Sequence, residues 1–273
     1  MTRLKLGFVL FLLGMVGALA VVPYAFTTIG VASMHLPYSL QTLMMVQIAF
    51  SAVILMFCIT LGMFFAGRVG LDSVFLASAF NGELSSLYKM SGPTQEGLPR
   101  FRFIPTVALA SSLGISCAVL CLVVDILVFG TSLKLALGWD MIASLNDRAL
   151  AVLYSAFDEE ILLRLFLLSA VAWLFKVAER RKDPGLSGFG ATMAVLITAA
   201  LSSIIPMLFL EVTVGMSMLE VARALLINFG AGVVYGWMYW QRGLVASMVT
   251  HGVAELMLAV GFPLILGSVI TGS

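Results

Sequence analysis

Seven long apolar stretches alternate with short polar segments along the chain, at approximately 7–27, 41–67, 103–130, 149–177, 188–210, 217–240 and 243–268. A helix needs about 20 mostly apolar residues to cross the hydrocarbon core of a bilayer, and each stretch meets that length. The second is longer than a crossing requires, so it is expected to tilt or to project from the membrane. The apolar segment Leu71–Phe80 is too short to span and is expected to lie at the interface. The pattern predicts an all-α fold: a polytopic membrane helix bundle of about seven transmembrane helices. One membrane domain covers 1–273, with the N-terminal spans and a polar loop in 1–140.

The first stretch follows Arg3 and Lys5 and could be mistaken for a cleaved leader. Its apolar run exceeds the roughly 7–15 residues of a signal core, and no small-x-small cleavage site follows it. A retained first span is expected.

Basic residues set the expected orientation, because Lys and Arg accumulate in cytoplasmic loops. With the N-terminus inside, the cytoplasmic segments hold Arg3, Lys5, Arg68, Lys89, Arg100, Arg102, Lys176, Arg180, Arg181, Lys182 and Arg242. The other side holds only Lys134 and Arg148. Eleven against two predicts N-terminus inside and C-terminus outside, which requires an odd number of spans. The loop at 81–102 is polar and punctuated by Gly, Pro and Ser, and reads as a loop rather than a domain. The charged segment 178–187 contains Pro184 and Gly185, which stop the preceding helix.

Composition removes the alternatives to a membrane protein. The chain has 273 residues, 61% hydrophobic and 11% charged, against roughly a quarter charged in a soluble domain. The formal net charge of +1 leaves no concentrated basic face, so no nucleic-acid partner is expected. The expected partners are the lipid bilayer and a membrane-associated peptide or protein. Cys58, Cys117 and Cys121 lack zinc-site spacing and read as small core or lipid-facing residues.

Ionisable residues inside a bilayer are costly, about 2.5–3.5 kcal/mol each on insertion scales, so those present pair or serve a function. They concentrate in the C-terminal half. The fourth span carries Asp158, Glu159, Glu160 and Arg164. Glu160 and Arg164 are four apart and share a helix face, where the guanidinium can hold the carboxylate in a fixed geometry. Glu159 points about 100° away on an α-helix, free to face a cavity. In the seventh span His251 and Glu255 share a face at the same spacing, suited to metal binding, proton transfer or oxyanion stabilisation. Glu220 and Arg223, three apart in the sixth span, are expected to pair. Asp125 in the third span has no evident partner, and His35 is expected to be solvated.

At these residues the chain resembles the CPBP (CAAX protease and bacteriocin-processing, also ABI) family of intramembrane proteases. The family's first motif is two adjacent glutamates with an arginine four beyond the second, matched by Glu159, Glu160 and Arg164. Its last motif is a His with Asn or Asp four residues on; His251 matches, and Glu255 stands at the Asn/Asp position. The stretch GVVYGWMYWQRGLVASMVTHGVAEL is also similar, and the likeness covers about 145–260, a CPBP-like catalytic-type core. The middle motif, a Phe with a His four later, is missing. Pro206 and Leu210 fall at those places, with Glu211 adjacent, and His35 and His251 are the only histidines.

The resemblance implies an intramembrane endopeptidase that hydrolyses a peptide bond of a membrane-associated substrate with glutamate-activated water. The expected setting is a bacterial or archaeal cell membrane. Glu159 would be the general base, with Glu160 paired to Arg164, although the roles of the two glutamates could exchange. His251 and Glu255 would form the oxyanion or metal side. Glu255 can donate a hydrogen bond only when protonated. A zinc site would need three protein ligands, which Glu160, His251 and Glu255 could supply. Two other readings stand beside this one. The first is a catalytically degenerate member acting as membrane scaffold, immunity factor or partner-binding protein, suggested by the missing His. The second is an ion-coupled transporter using Asp125, Asp158, Glu159 and Glu160 as a relay, which lacks the repeated halves common in transporters.

Overall fold

The computed structural model describes residues 3–29, 39–71, 103–131, 143–180, 186–214 and 217–271. Within them the chain forms helices α1 (Arg3–Ala20), α2 (Val22–Ile29), α3 (Leu40–Val69), α4 (Phe103–Phe129) and α5 (Leu145–Tyr154). Two π-helical segments, Ser155–Glu159 and Ile161–Leu168, continue α5 into α6 (Ser169–Ala178). Then follow α7 (Gly188–Val214), α8 (Met218–Arg242), α9 (Leu244–Leu256), a π-turn at Met257–Gly261 and α10 (Phe262–Thr271). Among the described residues, seven helical stretches are long and apolar enough to cross a membrane: Leu4–Ala25, Gln41–Val69, Pro105–Phe129, Leu145–Ala178, Gly188–Ile205, Met218–Arg242 and Leu244–Leu266. The protein is therefore an integral membrane helix bundle. Leu71 is described, whereas the rest of the short apolar segment, the loop at 81–102 and His35 lie outside the described residues.

Local chemistry marks the helix ends. The side chains of Ser39 and Ser144 accept from the backbone N–H groups of Thr42 and Asp147. Ser217 and Glu220 form a reciprocal capping box at the start of α8. Gly70 ends α3 in the left-handed conformation, φ 76°, that glycine adopts without a Cβ penalty.

Two expectations about polar pairing change. Arg223 takes its hydrogen-bonding partner from another helix, while Glu220 is hydrogen-bonded by Ser217. Its guanidinium grips Asp125 on α4 through both carboxylate oxygens, and Thr131 donates to the same carboxylate at 2.8 Å. A partner from a helix distant in sequence is invisible to spacing rules, which see only i,i+3 and i,i+4 neighbours.

The interior is built around the fourth span. Ile161, Leu165 and Leu168 of the second π segment join Leu10, Leu55, Ile59, Tyr239 and Leu244 in the main apolar core. Close backbone approach makes this packing possible. A Cβ added at Gly62 would lie 2.8 Å from the Leu165 carbonyl, and one at Gly114 would lie 2.6 Å from that of Thr250. Small residues let membrane helices come this near, where van der Waals contact rather than water exclusion drives association. The Gly114 contact seats α4 against α9, the helix that carries His251. By contrast, Phe8, Leu12, Phe50, Val53 and Met56 point outward, as lipid-facing residues should.

Candidate active site

The three consecutive carboxylates of the fourth span face three environments. Both π segments replace the i→i+4 ladder by i→i+5, so each residue turns by less than the α-helical ~100°. The sequence pattern predicts an uninterrupted α-helix here, and the π geometry is a departure from it. Asp158 turns toward α1 and abuts Gly17; it is 2% exposed, and its Oδ2 has no hydrogen-bond partner among the described residues. The Glu159 side chain remains 38% exposed. Glu160 is wholly buried and turns toward α9.

Burying a carboxylate requires that its oxygens be satisfied. Glu160 Oε1 lies 2.8 Å from His251 Nδ1 and 3.5 Å from Arg164 Nη1, and Oε2 accepts from the Ser247 hydroxyl. An ionised carboxylate only accepts hydrogen bonds, so with Glu160 ionised Nδ1 is the donor of this contact. Arg164 also donates from Nη2 to the Gly232 carbonyl at 3.2 Å, and its guanidinium sits 5.5 Å from the centre of the Tyr235 ring, a cation–π distance. The same ring stacks on His251, with centroids 4.3 Å apart and planes 22° from parallel. The Tyr235 hydroxyl ends 3.9 Å from the buried Cys117 thiol. His251 is thus held at one edge by Glu160 and at one face by Tyr235.

The opposite edge of the imidazole looks into the site. Nε2 is 3.7 Å from Glu159 Oε2 and 4.0 Å from Glu255 Oε1. Both distances exceed a direct hydrogen bond. The Glu255 side chain is 38% exposed, like Glu159. All five candidate residues, Glu159, Glu160, Arg164, His251 and Glu255, therefore meet at one place. Their pairing differs from the spacing-based expectation. The nearest carboxylate to His251 is Glu160, 91 residues away, rather than Glu255 one turn on.

The fit to zinc follows from the same geometry. Glu160 occupies the Nδ1 edge of His251 and Glu255 the Nε2 edge, so these three do not converge on one ion through a single ring nitrogen. Among the described residues no group of three His, Cys, Asp or Glu is arranged to hold a metal. Glu160, His251 and Glu255 as placed are not arranged around a single point as three ligands of a zinc ion.

Ser247 and Tyr235 escaped the sequence reading. Ser247 carried a signal, since it precedes His251 by four residues and shares its face. Tyr235 carried none, because its stacking partner lies on another helix. The side chains of Pro206, Leu210 and Glu211, where the middle motif would fall, lie outside the described residues; the α7 backbone continues past them to Val214.

Fold and site together define a polytopic membrane protein with a buried Glu–His pair opening onto two further carboxylates. Residues 141–257 match the family model for Rce1-like proteins, described as type II CAAX prenyl endopeptidase Rce1-like. The match contains all five candidate residues and is consistent with the CPBP family. No curated protein and no solved structure matches the chain.

Proposed function

We propose that the protein is a CAAX-type intramembrane endopeptidase that hydrolyses a peptide bond of a membrane-associated substrate. The observation that carries this reading is the clamp on His251. Glu160 fixes Nδ1–H, so Nε2 is held toward the half-exposed Glu159. This divides labour between an orienting carboxylate and a reactive one.

In this mechanism a water between Glu159 and His251 Nε2 attacks the scissile carbonyl, and Glu159 takes its proton. The oxyanion that forms is stabilised by His251, which donates from Nε2 as the imidazolium; Glu160 and the Tyr235 ring keep the imidazole in place. Glu159 then returns the proton to the leaving nitrogen as the C–N bond breaks. Glu255 flanks Nε2 on the other side and can join the oxyanion contact in its protonated form.

The test is cleavage of membrane-associated peptides, prenylated ones included, by the reconstituted protein. Glu159→Ala and His251→Ala are each expected to lower turnover by about 10²–10⁴-fold with accumulation unchanged, and a zinc chelator to leave the wild-type rate intact. Cleavage that survives both substitutions would exclude this site. A wild type inert toward every substrate would favour the scaffold reading, which the lack of any histidine besides His35 and His251 supports.

A further inference from the structure

The Glu160 carboxylate is gripped by two donors from one face of α9. Ser247 Oγ donates to Oε2 and His251 Nδ1 to Oε1, and the two residues stand one helical turn apart. Ser247 is completely buried. The hydroxyl also lies 2.8 Å from the Tyr235 carbonyl, on the residue whose ring stacks on His251. One small side chain therefore touches both groups that fix the imidazole: the carboxylate at its edge and the backbone beneath the ring at its face. A carboxylate held at one oxygen alone can rotate about its last torsion, which is broad for Glu. Held at both, it presents Oε1 to Nδ1 in one orientation.

We propose that Ser247 is a positioning residue that locks the rotation of Glu160 and thereby holds His251 with Nδ1 protonated and Nε2 facing Glu159. Its activity consequence rests on the proteolytic reading above; its effect on the imidazole does not.

The test uses the full chain in detergent micelles with ¹⁵N-labelled histidine. His35 and His251 are the only histidines, so a His35→Gln background leaves one imidazole to observe. The expected spectrum has a hydrogen on Nδ1, and Ser247→Ala is expected to shift or broaden that Nδ1–H resonance. Ser247→Cys conserves volume with a weaker donor and is expected to move the resonance in the same direction, should the alanine variant fail to fold. In the cleavage assay Ser247→Ala is expected to lower kcat about tenfold, the effect of one buried hydrogen bond, with KM within about twofold. In a Glu160→Gln background the same change is expected to add less than about twofold, because contacting residues are not additive. An unchanged His251 spectrum, or equal losses in the two backgrounds, would overturn the proposal. If the wild type cleaves nothing, the proteolytic reading fails and the spectra alone decide the role of Ser247.

Discussion

Replacing Arg164 with Leu would leave the fully buried Glu160 without its guanidinium partner and remove the side-chain contact to the Gly232 carbonyl. Removing one partner of a buried ion pair costs about 3–5 kcal/mol, more than the pair contributes over an apolar substitute, because a charge is left uncompensated. The expected outcome is a large drop in thermal stability in detergent, beyond that of Glu159→Ala. Wild-type stability in Arg164→Leu would mean that Glu160 does not depend on this guanidinium. The motif of two glutamates and an arginine revealed the charges, and helical spacing revealed the Glu160–Arg164 contact. The deeper partners of Glu160, Ser247 and His251, lie about 90 residues away in sequence, beyond any local rule.

At the scale of elements, the site depends on how α4 and α8 frame α9. Gly114 lets α4 approach the Thr250 carbonyl, next to His251. Gly114→Val is expected to cost about 1–3 kcal/mol by overpacking. Because the displaced backbone adjoins the imidazole, cleavage should fall further than stability does, measured as kcat against the thermal midpoint. Equal wild-type activity would mean that α9 tolerates displacement. Asp125 and Arg223 join α4 to α8. Arg223→Ala strands a buried carboxylate and is expected to destabilise by about 1–3 kcal/mol. The exchange Asp125→Arg with Arg223→Asp is expected to recover part of that loss, and a double variant no more stable than the single ones would show that the pair carries no specific coupling. The hydrophobic pattern located the spans that hold these residues, because lipid demands long apolar runs. The π segments were not legible, because periodicity over a mostly apolar stretch does not separate i→i+4 from i→i+5 hydrogen bonding.

For the whole molecule, an odd number of crossings, as the seven candidate spans would give, is expected to put the two termini on opposite faces of the membrane. From the distribution of Lys and Arg we propose a cytoplasmic N-terminus. Tags at the two ends, probed with an impermeant label on sealed vesicles, are expected to report opposite accessibility, with the C-terminal tag outside. Both tags on one side would require an even number of crossings and would change which face the site approaches. The membrane setting also gives the buried cluster its leverage, since paired charges interact more strongly where water is excluded. The same setting makes an unpaired one costly.

The chain's own sequence determined the solvent the protein lives in, the positions of its spans and the five polar side chains that had to gather, because apolar length and the cost of intramembrane charge are local quantities. Tertiary structure decided who touches whom. Arg223 went to Asp125, His251 to Glu160, and the Tyr235 ring to the imidazole face. These contacts join helices remote in the chain, and only the packing of the bundle brings them within hydrogen-bonding or stacking distance. That packing left Nε2 of His251 facing Glu159 and Glu255, which the spacing of residues along one helix had no means to specify.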